Sequence, residues 1–206
     1  MQNAEIELKF PVADPAALQN LLPPLGLHLD TPRTFESNTL YDTPSRELRS
    51  RRELLRIRQY GEVFTLTHKR MAAPDDPENP SRYKVRIETE TTVSDPVALG
   101  HIFEQLGYQP AFTYEKYRTE WSAVDPLTGS TAHLVLDETP IGTYAELEGP
   151  TSWIDRMLES LDIDTQTCLT DSYGKLFLDW KEQTASPAEN LTFAEIANSS
   201  PLVTAS

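Results

Sequence analysis

The sequence predicts an α+β domain built on a β-sheet with one charged face and one apolar face. The first observation is the segment Glu5-Ile6-Glu7-Leu8-Lys9, in which charged and aliphatic residues alternate. Successive side chains of a strand point to opposite faces, so this alternation is typical of a strand. It returns at residues 56–58, 84–90, 116–120 and 146–148. The second observation is a pair of helix-start signals, Asp14-Pro15 and Ser94-Asp95-Pro96, which place helices between the strands.

The charged face is the feature that bears on function. A single alternating strand usually has a solvated polar face, and that is the ordinary interpretation of any one segment. Here the polar positions of several strands are almost all Glu, Asp, Arg or Lys, which favours a barrel with a charged interior and an apolar outside covered by helices. Buried like charges repel and lose hydration, so such an interior implies a charged ligand.

Local signals divide the rest of the chain into elements. Residues 53–60 and 62–70 are predicted to form a hairpin around Gly61, preceded by an Arg-rich connection at 45–52. A helix is predicted to begin near Ser172 and to end near residue 182. From Thr184 onward the chain is rich in Ser, Ala, Thr and Pro, which predicts a loosely held tail with a short helix near 193–197.

Composition limits the partners. The 206 residues fit one domain, and the net charge of −14 disfavours nucleic acid and anionic membranes as partners. Half of the 18 basic residues, most of them on the predicted charged face, are Lys9, Arg56, Arg58, Lys69, Lys84, Arg86, Lys116, Arg118 and Lys175. This grouping favours a small polyanion as ligand, and the interleaved acids suggest divalent cations. Cys168 is the sole cysteine, and the sequence has no apolar run long enough for a membrane span and no signal-peptide pattern. We therefore expect a cytoplasmic protein.

Several short motifs occur in a fixed order along the chain. They are Glu5-x-Glu7-x-Lys9, Leu40-Tyr41-Asp42-Thr43-Pro44, Leu55-Arg56-Ile57-Arg58, Thr65-Leu66-Thr67-His68-Lys69, Arg86-x-Glu88-x-Glu90, Lys116-x-Arg118, Val135-Leu136-Asp137, Glu146-x-Glu148-Gly149 and Ser172-Tyr173-Gly174-Lys175. The first motif alone is a weak string, but the ordered set spans residues 3–180. In this set the chain resembles the CYTH family, also called triphosphate tunnel metalloenzymes.

The resemblance implies a specific fold. It is an antiparallel, eight-stranded, closed or nearly closed β-barrel that forms a triphosphate tunnel, with helices packed outside. The tunnel domain would cover residues 1–183, and residues 184–206 would be a flexible C-terminal tail.

The resemblance also implies roles for individual residues. The substrate-binding set would be Lys9, Arg56, Arg58, Lys69, Arg86, Lys116, Arg118 and Lys175, with Lys175 capping one end of the bound phosphate chain. The catalytic set would be Glu5, Glu7, Lys9 and Arg58. Glu5, Glu7, Asp137, Glu146 and Glu148 would hold Mg²⁺ or Mn²⁺, with two ions as the expected number. Glu88 and Glu90 are open between metal binding and structural ion pairs.

The activity implied by the resemblance is metal-dependent hydrolysis of a terminal phosphoanhydride. Inorganic triphosphate is the first expected substrate, and orthophosphate the product. Three alternatives stay open: a class IV adenylyl cyclase that forms cyclic AMP and pyrophosphate from ATP, a thiamine triphosphatase, and a polyphosphate-binding module without turnover. Either a monomer or a homodimer is compatible with the sequence.

Overall fold

The computed structural model describes residues 3–71 and 84–199. The strands are β1 (Asn3–Pro11), β2 (His28–Asp42), β3 (Leu54–Tyr60), β4 (Val63–Met71), β5 (Lys84–Thr92), β6 (Gln109–Val124), β7 (Thr131–Thr139) and β8 (Gly142–Glu148). The helices are α1 (Pro15–Leu21), α2 (Glu47–Ser50), α3 (Pro96–Gln105), α4 (Thr151–Ser160), α5 (Tyr173–Thr184) and α6 (Phe193–Ser199). Short 3₁₀ turns occupy Pro23–Leu25 and Thr165–Thr167.

The eight strands form one closed barrel in the order β1-β5-β4-β3-β2-β6-β7-β8. All neighbouring strands are antiparallel. The first strand closes the ring, because residues 3–7 of β1 pair with β5 and residues 7–11 pair with β8. The predicted α+β architecture with an antiparallel eight-stranded barrel is therefore confirmed.

The main hydrophobic core lies outside the barrel. Leu8, Leu134 and Leu147 project outward from β1, β7 and β8 and pack against Ile154 and Leu158 of α4. All five side chains are almost completely buried. Burial of each Leu or Ile side chain stabilises the fold by about 1.5–3 kcal/mol. The cluster therefore fixes which residues of these strands point outward, and the residues that alternate with them point into the barrel.

The predicted hairpin and the Arg-rich connection before it are both present. β3 and β4 pair from Leu54↔Lys69 to Tyr60↔Val63, and Gly61 in the turn has a φ of +57°. The sequence did not indicate α2, a single helical turn inside the Arg-rich connection.

The C-terminal segment corrects one expectation. Residues 109–116 of β6 pair with β2 alone, since β7 joins β6 only from Tyr117 onward. Leu191 fills part of the open edge: its N–H donates to Thr113 O at 3.0 Å, and its carbonyl accepts from Glu115 N at 2.9 Å. Leu191 is fully buried and Ile196 of α6 is 6% exposed.

The chain from 188 to 196 is therefore docked on the barrel and not loosely held. The short helix expected near 193–197 is present as α6, whereas the domain boundary at 183 stays a prediction. Helix α5 packs against the same part of β6 as this segment. Its Tyr173 packs against the inward-facing Tyr114.

Among the described helices, none combines the length and the apolarity that crossing a membrane requires.

Candidate functional site

Charged side chains from most strands converge inside the barrel, as the strand alternation predicts. They border a cavity of about 1620 Å³, which we call the lumen. Among the residues that the structure describes, twelve Lys and Arg residues line it. The predicted site residues among the lining residues are Glu7, Lys9, Arg56, Arg58, Lys69, Arg86, Lys116, Arg118, Glu146, Glu148 and Lys175.

Asp137 on β7 is the hub of the first charge cluster. The Arg118 guanidinium donates from Nε and Nη2 to its two oxygens, both at 2.7 Å. Lys116 Nζ donates to Asp137 Oδ2 at 2.8 Å, and the Tyr173 hydroxyl donates to the same oxygen at 2.7 Å. Burial, together with the Asp137 charge, raises the pKa of Tyr173 well above its usual value. In this state Asp137 is therefore a fully paired carboxylate.

Glu146 on β8 forms the second cluster. Lys9 Nζ lies 2.9 Å from Glu146 Oε1, and Arg118 Nη2 lies 2.9 Å from Oε2. Burial alone would raise the pKa of Glu146, but the charges of Lys9 and Arg118 outweigh burial and hold the pKa well below its usual value. The same ion pair raises the pKa of Lys9, although burial by itself lowers it. Both groups therefore stay charged near neutral pH.

Glu36 on β2 is a central residue that the sequence analysis missed. Its side chain is fully buried, and its Oε2 lies 2.6 Å from Arg58 Nη2. Lys116 Nζ lies 3.5 Å from its Oε1. Burial opposes ionisation, yet the nearby cations, Lys116 and Arg118 above all, keep the pKa of Glu36 well below the usual range. A negative charge therefore sits between the lumen cations in the ligand-free protein.

Three arginines retain unused donors in the lumen. Among the described residues, the buried Nε atoms of Arg56, Arg58 and Arg86 have no hydrogen-bond acceptor. Arg56 uses its other nitrogens, donating from Nη1 to the Tyr114 hydroxyl and from Nη2 to Thr67 Oγ1, both at 3.2 Å. A buried donor without a partner is unfavourable by about 1–3 kcal/mol.

Two predicted phosphate ligands, Lys69 and Lys175, are each paired with a carboxylate. Lys69 Nζ is 2.7 Å from Glu88 Oε2, which assigns a structural ion pair to Glu88. Lys175 is paired along α5 with Asp179, and its side chain is about half exposed. Although Lys175 borders the cavity, it does not join the buried cations. The position of Lys175 around the α5 helix directs its ammonium group along the helix surface.

The predicted metal-binding carboxylates divide into two groups. Asp137 and Glu146 have their oxygens paired with Arg, Lys or Tyr donors, as described above. Glu7 and Glu148 face each other directly across β1 and β8, and both line the lumen. His133 on β7 lies opposite Glu148. The side chain of Glu5 lies outside the described part of the structure. Within that part, no three acidic, His or Cys side chains form a cluster suited to a metal ion.

Comparison with known families places the chain. The sequence model of the CYTH domain matches residues 3–169, which is most of the chain. The protein belongs to the CYTH domain family. The match ends at residue 169, before α5 begins at Tyr173.

Solved structures share the fold of this CYTH domain. An adenylate cyclase candidate from Vibrio parahaemolyticus has a TM-score of 0.65 at 18% identity, over 84% of this chain and 97% of that one. A protein from Pyrococcus horikoshii has a TM-score of 0.65 at 21% identity, with 85% and 99% covered. An adenylyl cyclase candidate from Hippeastrum, described as having a dominant triphosphatase activity, has a TM-score of 0.58 at 20% identity, with 87% and 96% covered. No curated protein sequence matches the chain.

The residues of this CYTH domain fit a hard divalent cation at one place. Glu7 and Glu148 are directly opposed on neighbouring strands and both line the lumen, so they place two carboxylates at one part of its wall. Mg²⁺ commonly uses one or two carboxylates, several waters and the phosphates of its substrate, and does not need a complete protein cage. Two carboxylates are therefore a donor set that a hard divalent cation can use.

Proposed function

We propose that this protein hydrolyses a triphosphate, with inorganic triphosphate as its first substrate and orthophosphate as the released product. The observation that carries the proposal is the closed barrel whose lumen is lined by a set of Lys and Arg side chains, Lys9, Arg56, Arg58, Lys69, Arg86, Lys116 and Arg118. Guanidinium groups bind phosphate oxygens through paired N–H donors, so a lumen with this lining suits a chain of phosphates. The triphosphatase activity described for the Hippeastrum neighbour supports the same chemistry.

The side chains in the lumen can contribute to hydrolysis mainly by position and charge. Phosphoryl transfer proceeds through a loose transition state with negative charge on the transferred group, which fixed cations stabilise. Arg58, Lys116 and Arg118 hold such charges on side chains that are only 3–16% exposed. Glu36 and Glu146 are weak bases near neutral pH because their pKa values are lowered, so they serve to orient the cations and not to accept a proton.

A divalent ion held by Glu7 and Glu148 would supply charge neutralisation at the phosphates and a more acidic attacking water. The use of Mg²⁺ or Mn²⁺, the number of ions and a contribution from Glu5 remain parts of the proposal.

A panel of substrates tests the reaction. Inorganic triphosphate, ATP and thiamine triphosphate are each incubated with Mg²⁺ or Mn²⁺, and orthophosphate, pyrophosphate and cyclic AMP are measured separately. Orthophosphate from inorganic triphosphate at the highest rate is the expected result. Faster formation of pyrophosphate and cyclic AMP from ATP would assign a cyclase, a preference for thiamine triphosphate would reassign the substrate, and binding without turnover would contradict an enzymatic role.

Replacing Glu148 by Gln tests the metal assignment. The change keeps the shape of the side chain and removes one negative oxygen ligand. We expect hydrolysis to fall at least about tenfold, which corresponds to about 1.4 kcal/mol in the transition state, while the melting temperature is largely retained. The matched control is Glu138→Gln on the adjacent strand, where Glu138 pairs with Arg33 at the surface. If Glu148→Gln keeps full activity at low metal concentration, or if it unfolds, Glu148 has a structural role and the metal assignment is wrong.

Ligand binding itself has a separate readout. Triphosphate is added in the presence of a chelator, so that turnover is suppressed, and thermal unfolding is recorded. A ligand that binds only the native state stabilises it by about 2.7 kcal/mol at a hundredfold its dissociation constant. We therefore expect the melting temperature to rise by several degrees, with little effect from orthophosphate at the same concentration. A melting temperature that stays unchanged at every triphosphate concentration tested would count against the lumen as the triphosphate site.

A further inference from the structure

Tyr173 reaches the charged lumen from a helix, whereas the cations around it come from strands. It is the first residue of α5, and Ser172 caps this helix because its Oγ accepts from Lys175 N at 3.3 Å. Tyr173 borders the lumen and is 7% exposed. The rings of Tyr114 and Tyr144 each lie 5.9 Å from its ring, measured between ring centres. The phenol is therefore held in one place beside charged groups.

The hydroxyl of Tyr173 binds a carboxylate that also has charged partners. It donates to Asp137 Oδ2 at 2.7 Å. The same oxygen accepts from Lys116 Nζ at 2.8 Å and from Arg118 Nη2 at 2.7 Å. Burial and the Asp137 charge raise the pKa of Tyr173, so the phenol stays protonated near neutral pH. It therefore gives Asp137 a further donor without adding a positive charge to the lumen.

The ring of Tyr173 contacts two ammonium groups. Lys9 Nζ lies 4.1 Å from the ring centre, and Lys116 Nζ lies 4.9 Å from it. The face of an aromatic ring attracts a cation within about 6 Å, and the attraction is stronger where the groups are shielded from water. Lys9 and Lys116 are 5% and 3% exposed. One ring therefore contacts the ammonium groups of two different strands, β1 and β6.

Anchoring of α5 to the barrel is the alternative role for this tyrosine. The helix has a separate anchor, since Phe177 is 2% exposed and its ring stacks on that of Phe112 at 5.4 Å. Leu176 and Trp180 of α5 pack into the same cluster. Docking of the helix therefore does not require that Tyr173 bind a carboxylate and two ammonium groups of the lumen.

We propose that Tyr173 is a positioning residue for the hydrolysis of triphosphate, which acts on Asp137 through its hydroxyl and on Lys9 and Lys116 through its ring. This inference rests on the proposed function, since both lysines belong to the cations that are assigned there to the phosphates. Fixed charges stabilise the transition state of phosphoryl transfer only where they are correctly placed, so a small displacement of the ammonium groups lowers the rate.

Two substitutions separate the hydroxyl of Tyr173 from its ring. Tyr173→Phe removes the hydroxyl alone, and Tyr173→Leu removes both. With inorganic triphosphate and Mg²⁺, we expect kcat to fall at least about fivefold in Tyr173→Phe while KM changes by about twofold or less, because the lost interaction acts in the transition state. In Tyr173→Leu we expect kcat to fall at least about fiftyfold and KM to rise, because the ammonium groups also lose the ring. All assays are run below the melting transition of each variant, so kcat refers to folded protein.

Two further readouts do not depend on turnover. With a chelator present, titration calorimetry should give a triphosphate affinity about tenfold weaker in Tyr173→Leu and within about threefold of the unmodified protein in Tyr173→Phe. NMR of labelled lysines reports the geometry, since protons above the face of an aromatic ring resonate upfield. The side-chain signals of Lys9 and Lys116 should be shifted upfield, remain so in Tyr173→Phe and lose this shift in Tyr173→Leu.

Tyr144→Phe is the matched control, since it removes a phenol hydroxyl from a ring that packs edge to face against Tyr173. It should change kcat and triphosphate affinity by about twofold or less. If Tyr173→Leu does not fold, the kcat of Tyr173→Phe and the lysine signals of the unmodified protein decide the question.

Three results would overturn the positioning role of Tyr173. They are a lower melting temperature of Tyr173→Phe with an unchanged kcat, an equal loss of kcat in Tyr144→Phe, and lysine signals without an upfield shift in the unmodified protein. Absence of hydrolysis in the substrate panel would instead contradict the proposed function. The lysine signals and the affinities measured without metal would then still decide whether Tyr173 places the two ammonium groups.

Discussion

Replacing Glu36 by Gln is expected to destabilise the ligand-free protein by about 3–5 kcal/mol at pH 7, because it leaves buried cations without their counter-charge. Glu36 is fully buried and lies within ion-pair distance of Arg58 and Lys116. Gln keeps the size of the side chain but cannot neutralise them. Urea unfolding at constant ionic strength gives the difference in the free energy of unfolding.

The pH dependence follows from the lowered pKa of Glu36. A carboxyl whose pKa is lower in the folded state than its unfolded value of about 4.3 contributes its full stabilisation above that pH. The contribution is lost as the pH falls through the folded-state pKa. The difference in the free energy of unfolding between the unmodified protein and Glu36→Gln should therefore be largest near neutral pH, and it should decrease below about pH 4.

Triphosphate provides the counter-test for Glu36. Removing the internal carboxylate raises the positive potential of the lumen, so the stabilisation by triphosphate without metal should be larger in Glu36→Gln than in the unmodified protein. Glu138→Gln is a change of the same type at the surface. It should alter neither the free energy of unfolding nor the stabilisation by triphosphate appreciably. Equal stability of Glu36→Gln and the unmodified protein, with equal triphosphate effects, would show that Glu36 does not balance the cations.

The second large effect is expected for Leu191→Ala. Leu191 is fully buried at the open edge of β6, and large-to-small changes at such positions cost about 2–5 kcal/mol. Its backbone bonds to Thr113 and Glu115 are unaffected by the substitution, so the loss reports side-chain packing of the C-terminal segment. Thermal and urea unfolding measure it directly.

Leu127→Ala is the control for Leu191→Ala, since Leu127 is 71% exposed and its truncation should change stability by about 0.5 kcal/mol or less. If both variants are equally stable, the docked segment does not contribute to the stability of the fold. That result would support a loosely held tail.

Strand alternation explains why so much of the site could be predicted. In β1 and β3 the charged residues alternate with Ile and Leu, so one register places Lys9, Arg56 and Arg58 in the lumen together. Glu36 escaped because its segment, Phe35-Glu36-Ser37-Asn38-Thr39, has no regular apolar partner positions. Its position two and four residues before Asn38 and Leu40, on the same face of β2, is the signal that could have identified it.

The misplaced elements depend on features that a sequence does not display. The direction of the Lys175 side chain depends on how α5 is rotated about its own axis. The sequence of the helix does not determine that rotation. The segment at 188–196 is polar in composition, with Leu191 and Ile196 as isolated apolar residues. Its docking depends on the backbone edge that β6 leaves unpaired, which arises only after the barrel has closed.

The closure of the barrel by its first strand has a consequence for synthesis of the chain. Residues 7–11 pair with residues 144–148, so about two thirds of the polypeptide separates the two partners. At about 5–20 residues per second, the ribosome needs about 7–30 s to produce the intervening stretch. During that time the nascent wall exposes charged and apolar faces together, and the ring must form late, through contacts of high sequence separation that fold slowly. Cellular folding of this domain is thus timed by the emergence of β8 from the ribosome.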